Sequence, residues 1–176
     1  MRIETEHLII TDLTHDMAVA VHLNSLDEDV RRFVPDEVFE TLETAREVVS
    51  DLIECYDTED GPFVYAVLLK ETGENIGYVQ LVAIEDGWEI GYHIAKRYTK
   101  RGYASEALRA FLPAISKAHG LSEIIGICLA DNHASVRVLE KCGFRQTYRG
   151  PGQYQGRERE IVRTLWTAPS TKEEIV

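Results

Sequence analysis

The sequence predicts a mixed α/β (α+β) protein, built on a mixed sheet with helices on its faces. Three β-rich runs, 63–70, 76–85 and 88–95, follow one another across turns containing Gly, Asn and Asp, as an antiparallel meander does. A helical stretch over 103–119 carries Ala104, Leu108, Phe111, Leu112, Ile115 and Ala118 on one stripe and then leads into an apolar, strand-like run over 123–129. With 44% hydrophobic and 28% charged residues in 176, the chain can bury one sizeable core. We expect a single domain over 1–169 and a polar C-terminal tail over 170–176.

The remaining elements follow in order. Leu8-Ile9-Ile10 is strand-like, and capping side chains between Asp12 and Asp16 precede a helical stretch over 17–26. Residues 27–43 are acidic and contain Pro35, which predicts a loop or broken helix. Ala45, Val48, Val49 and Leu52 recur at offsets of three and four, so 44–55 is helical until Gly61-Pro62. Pro113 is expected to kink the long helix by removing a backbone donor. Asp131-Asn132 opens a short helix that Gly143 closes. The strands 144–148 and 160–166 are expected to flank a polar loop over 149–159. No repeat, low-complexity stretch or linker marks a second domain.

Charge excludes some classes of function. Residues 1–88 hold 5 basic and 21 acidic side chains, whereas 89–176 hold 14 and 9, for a net charge of −11. That balance argues against duplex nucleic acid as a partner, because Lys and Arg must neutralise phosphates. It leaves room for a small phosphorylated ligand on the basic half. No apolar run approaches a membrane span and the N-terminus is charged, so a cytoplasmic protein is expected. Cys55, Cys128 and Cys142 are odd in number and read as reduced thiols. The histidines form no HExxH pair, so no metal is expected.

The segment with most chemical content is Ile94-Ala-Lys-Arg-Tyr-Thr-Lys-Arg-Gly-Tyr-Ala-Ser105, a strand passing through a basic turn into a helix. A helix N-terminus leaves N–H groups unpaired and carries partial positive charge. Gly102 and Ala104 are small enough to admit a phosphate, and Lys96, Arg97, Lys100 and Arg101 add positive charge. This is an anion cradle, though neither a P-loop nor the three-glycine dinucleotide fingerprint.

Glu89-Ile-Gly-Tyr-His-Ile-Ala-Lys-Arg-Tyr-Thr-Lys-Arg-Gly-Tyr-Ala-Ser-Glu-Ala-Leu108 resembles the acyl-CoA-binding motif of the GCN5-related N-acetyltransferases (GNAT). Asp131-Asn-His-Ala-Ser-Val-Arg-Val-Leu-Glu-Lys-Cys-Gly-Phe144 resembles their second motif. The opening Thr5-Glu-His-Leu-Ile-Ile-Thr-Asp-Leu13 and the Asn-x-x-Ser form are most similar to the branch with the ribosomal-protein alanine N-acetyltransferases. The resemblance spans 5–166.

The resemblance implies a central, mostly antiparallel twisted sheet with a splayed strand pair and helices on both faces. It also implies acetyl-CoA as co-substrate. The pantetheine arm would pair with main-chain groups at Ile94 and Ala95, and the pyrophosphate would lie on Thr99, Lys100, Arg101, Gly102, Tyr103, Ala104 and Ser105. Asn132 would contact the pantetheine and Lys141 the 3′-phosphate region, with Arg137 beside it. The family's usual Gln or Arg at the loop's start is Thr99 here. Its usual tyrosine acid aligns with Leu139, leaving Ser135, Tyr148 or water to serve the departing thiolate. Strand alternation puts Glu89, Gly91 and His93 on one face, so Glu89 is the first candidate base and His93 the second.

The implied function is acetyl transfer to a primary amine, such as a protein N-terminal amine. A small amine (amino acid, polyamine or antibiotic) and a non-catalytic acyl-CoA sensor are the alternatives. Acidic residues Asp27, Glu28, Asp29, Asp36, Glu37 and Glu40 would suit a cationic acceptor. Either a monomer or a homodimer fits the sequence.

Overall fold

The computed structural model describes residues 1–169; the tail expected over 170–176 lies outside the described residues. The strands are β1 (Arg2–Glu4), β2 (Leu8–Asp12), β3 (Phe63–Leu69), β4 (Asn75–Ile84), β5 (Gly87–Ile94), β6 (Glu123–Leu129), β7 (Arg145–Tyr154) and β8 (Arg157–Thr167). The helices are α1 (Ala18–Ser25), α2 (Glu28–Phe33), α3 (Leu42–Glu54), α4 (Tyr103–His119) and α5 (His133–Lys141). All eight strands join one sheet in the order β1-β2-β3-β4-β5-β6-β8-β7. Neighbours are antiparallel except β5 and β6, which are parallel because α4 carries the chain back between them. This is the mixed sheet that the sequence predicts.

Alternation along β3 explains the layering. Phe63, Tyr65, Val67 and Leu69 face the larger core, where Leu108, Phe111, Leu112 and Ile115 of α4 and Leu139 of α5 pack. Val64 and Ala66 face the opposite way, onto Val21 of α1 and Leu52 and Ile53 of α3. Helices therefore cover both faces. Each large apolar side chain buried by α4 contributes about 1.5–3 kcal/mol, so this helix is a rigid support for whatever its N-terminus holds. It runs unbroken through Pro113, which only leaves the Arg109 carbonyl without its usual donor.

The region 27–43 is the broken helix that the sequence allows, α2 followed by a single 3-10 turn at Pro35–Glu37. Two elements differ from expectation. The strand β1 was not anticipated, since Arg2-Ile-Glu4 is a short polar edge pairing only with β2. The polar loop expected over 149–159 is instead the two arms of a long hairpin. Its turn is only Gln155-Gly156, both with positive φ (46° and 70°), the backbone that two-residue hairpin turns require. Its polar composition follows from exposure, because β7 is an edge strand and its residues are mostly solvent-facing.

Candidate active site

β5 and β6 share only two register positions, Glu89 with Ile125 and Ile90 with Gly126. Beyond them β5 stays on β4 as far as Ile94, while β6 follows β8 as far as Leu129. The two strands therefore splay, and a cleft of about 960 Å³ runs through the gap from α4 to the β4–β5 surface. Antiparallel pairing alternates, and Ala95 N–H donates to Ile76 O (2.8 Å), so the main-chain groups of Ile94 and Tyr92 point into the gap. Ala95 departs from expectation. Its N–H is taken, its carbonyl accepts from Tyr98 N–H (2.7 Å), and it forms no part of the cleft wall.

At the α4 end, Lys100 and Gly102 have left-handed backbone (φ 62° and 84°). The turn thus delivers the chain to α4 with no side chain capping its first N–H groups, those of Tyr103, Ala104 and Ser105. A Cβ placed on Gly102 would meet no protein atom within 4 Å, so the space beside the helix end is open. Thr99 Oγ1 donates to Lys96 O (2.8 Å), which braces the turn. Thr99, Lys100, Gly102, Tyr103, Ala104 and Ser105 all line the cleft; Arg101 does not, and lies over the Tyr98 ring.

The four cations of this turn are not equivalent. Lys96 Nζ sits 3.4 Å from both Glu28 Oε2 and Asp29 Oδ1, and Arg97 pairs with Glu74 Oε1 at 2.6 Å. Lys100 and Arg101 take part in no ion pair among the described residues. On the facing wall, Asn132, Ser135, Arg137 and Lys141 of the α5 region line the same end. Asn132 caps α5 by accepting from Ser135 N–H (3.1 Å), so it meets the wall as a cap residue, with its amide NH₂ not engaged in that bond. An open, uncapped helix end flanked by unpaired cations fits the polyphosphate of CoA.

At the other end, Glu89 is half-buried on β5, between β4 and β6. Burial pushes its carboxyl up to about 7; the nearby Arg163 charge opposes this and Glu37 adds to it. Arg163 pairs with Asp86, and Glu89 has no ion-pair partner among the described residues. His93 lies on the same face. Its Nε2 is 3.4 Å from Asp27 Oδ2 without making a hydrogen bond, and burial holds the ring below its ordinary pKa.

Between Glu89 and His93, Gly91 does not leave an empty space. A Cβ there would come within 2.4 Å of Gln80 Nε2, so Gly91 makes room for the Gln80 amide, which donates to Glu37 Oε1 at 3.2 Å. Tyr78 donates to the other Glu37 oxygen, and burial raises this carboxyl as well. Glu37 is thus a second half-buried carboxylate in the cleft, held by neutral donors alone. The sequence presents it only as one of six acidic residues.

Those six part company. Glu37 and Asp29 line the cleft, Asp27 accepts from Lys96 N–H (2.7 Å), Glu28 serves Lys96, Glu40 pairs with Arg31, and Asp36 is exposed off the cleft wall. Tyr148 donates to Pro151 O (2.8 Å) on the exposed face of the hairpin and is not on the cleft wall, so it has no route to a thiolate; Tyr154 of the same strand lines the cleft. Leu139 is fully buried in the core. Among the described residues no group of three or more His, Cys, Asp or Glu is placed to hold a metal, and no helix is long and apolar enough to cross a membrane.

The model of the acetyltransferase (GNAT) domain matches residues 7–145. The chain belongs to the GNAT family. The uncharacterized N-acetyltransferase YnaD of Bacillus subtilis is 31% identical over 148 residues, covering 83% of this chain and 84% of YnaD. A GNAT-family acetyltransferase from Bacillus anthracis has the same fold, with a TM-score of 0.81 at 27% identity over 95% of this chain and 98% of its own. A ribosomal L7/L12 α-N-protein acetyltransferase in complex with coenzyme A shares the fold at a TM-score of 0.82, with 18% identity over 96% and 98% of the two chains. GNAT enzymes transfer acetyl groups from acetyl-CoA, and this chain shares their fold.

Proposed function

We propose that the protein transfers the acetyl group of acetyl-CoA directly to a primary amine that arrives as a cation, with a protein N-terminal amine as the acceptor. The observation that carries this reading is the continuity of one cleft from the uncapped α4 terminus to a half-buried carboxyl, Glu89, raised to about 7. In this reading the N–H groups of Tyr103, Ala104 and Ser105, with Lys100, hold the pyrophosphate. Asn132 contacts the pantetheine, and Lys141 and Arg137 face the 3′-phosphate. The Ile94 main chain pairs with the arm as an added strand would, and its N–H polarises the thioester carbonyl.

Glu89 accepts a proton from the ammonium, directly or through one water, so the nitrogen attacks as a free amine. Glu37 stabilises the incoming cation without itself being cancelled by a protein cation. His93, held neutral and turned towards Asp27, shapes the wall. The enzyme so described is cytoplasmic, monomeric or homodimeric, and needs neither metal nor nucleic acid.

A second reading, transfer to a small amine, is favoured by Glu37, because two half-buried carboxylates in one cleft suit a compact cation as well as a chain terminus. Thiol release from acetyl-CoA against a panel of N-terminal peptides, amino acids, polyamines and amine antibiotics tests the proposal. Release with peptides supports it, and release with small amines alone moves the acceptor to the second reading. Tight CoA binding with no release on any amine would make the protein a sensor.

A further inference from the structure

Tyr92 lies on the apolar face of β5, between Ile90 and Ile94, yet it carries a hydroxyl. A buried phenol needs a hydrogen-bond partner, and Tyr92 finds both of its partners on one residue. Its Oη is 2.7 Å from Ser135 Oγ and 3.2 Å from Ser135 O. Both side chains line the cleft. Tyr92 belongs to β5 and Ser135 to the first turn after β6, so their contact bridges the two walls of the splayed gap, where the Tyr92 and Ile94 main chains also point.

The proton arrangement follows from acceptor availability. The Ser135 carbonyl sits inside α5, where the Leu139 N–H already occupies it, and it is the more distant partner. Ser135 Oγ is the nearer and freer acceptor. A Tyr92 O–H that donates to Oγ leaves the Ser135 proton directed away from Tyr92, to the side where the gap and the Cys128 thiol lie. The reverse arrangement would turn that proton back onto the phenol.

We propose that Tyr92 is the positioning residue for the leaving sulfur: its O–H donates to Ser135 Oγ, so the Ser135 O–H points at the CoA sulfur and hydrogen-bonds it as the thiolate departs. This rests on the proposed acetyl transfer. When the tetrahedral adduct collapses, the C–S bond breaks, its electron pair passes to sulfur, and the C=O of the new amide forms. The Ser135 proton is shared with the sulfur and stays on the hydroxyl. The sulfur then takes up the proton that the amine nitrogen releases, by way of Glu89 and water. Burial raises the Tyr92 phenol above its ordinary pKa, so it remains a donor throughout. The groups facing it, Cys128, Cys142 and Tyr154, are likewise pushed up and uncharged. The fully buried Leu139, which offers no hydroxyl, is one turn further along α5. The hydroxyl pair supplies from β5 and the α5 start what that position does not.

The direct test is the thiol pKa of bound CoA, read from the ultraviolet absorbance of the thiolate as the difference between CoA and desulfo-CoA complexes, which cancels the protein thiols. The wild type should hold the bound thiol about tenfold more ionised than free CoA at the same pH, and Tyr92→Phe and Ser135→Ala should each abolish that gain. With an active acceptor, Tyr92→Phe should lower kcat about tenfold and leave the acetyl-CoA KM within about twofold. The deficit should shrink for an acetyl thioester of a more acidic thiol, and should vanish in a Ser135→Ala background. Bound-thiol ionisation unchanged in Tyr92→Phe but lost in Ser135→Ala would overturn the proposal, as would an equal loss of kcat with and without Ser135. If no amine is acetylated, the transfer reading fails while the thiol titration still decides the role of Tyr92.

Discussion

The two ends of the cleft handle charge in opposite ways. At the α4 end the binding charge comes mainly from the backbone: Gly102 and Lys100 turn the chain with positive φ, and α4 begins without a side-chain cap. Two of the four cations there are already spent on Glu28, Asp29 and Glu74. At the β4–β5 end the charge comes from side chains, with neither Glu37 nor Glu89 in an ion pair among the described residues, although the Arg163 charge lies near Glu89. The acidic and basic halves of the sequence therefore do not map simply onto acceptor and donor sites. Much of the acid around Asp27–Asp29 braces the basic turn, and what selects a ligand is the charge left over once folding has made its own pairs.

Substitutions at each end should separate these modes. The largest effect is expected for Glu89→Gln, which keeps the shape but removes the proton acceptor: kcat/KM should fall about 10²- to 10³-fold, with CoA affinity by calorimetry unchanged. Next is Gly102→Val. It strains the left-handed backbone by about 1–2 kcal/mol and fills the open space where a phosphate approaches, so CoA should bind at least about tenfold more weakly. Acceptor KM should stay the same.

Glu37→Gln should do the converse, raising the KM of a cationic acceptor about tenfold, the equivalent of losing one charged hydrogen bond, and leaving acetyl-CoA alone. The smallest effect sharpens the comparison most. Lys96→Ala should change CoA affinity by less than about twofold and leave the thermal midpoint nearly unmoved, because Lys96 serves an exposed ion pair. Lys100→Ala should weaken CoA by more than Lys96→Ala does in the same titration.

The sequence revealed the cofactor end more fully than the acceptor end, for a physical reason. A helix N-terminus with a glycine before it is local, so the uncapped start of α4 and the Asn132 cap can be read from adjacent residues. The meander and the α4 stripe are local too, and both are where periodicity puts them. The pairings are not local. Nothing near Lys96 says that Glu28 and Asp29 will take it, nothing near Gly91 says that Gln80 will fill the space beside it, and Tyr92 counts as an apolar-face residue until β6 and α5 bring Ser135 to its hydroxyl. The 149–159 hairpin was hidden because an edge exposed on both sides loses the alternation that marks a strand.

The pH dependence of kcat/KM for the wild type and Glu89→Gln, with one active amine, tests the central claim most directly. Glu89 accepts a proton only when ionised, and its carboxyl is raised to about 7. The wild-type profile should therefore rise as pH increases through about 7, a limb distinct from the higher one set by the amine's own deprotonation. In Glu89→Gln the limb near 7 should disappear, leaving only the limb of the amine and a much lower plateau. An unchanged limb near 7 with unchanged turnover in Glu89→Gln would contradict the account.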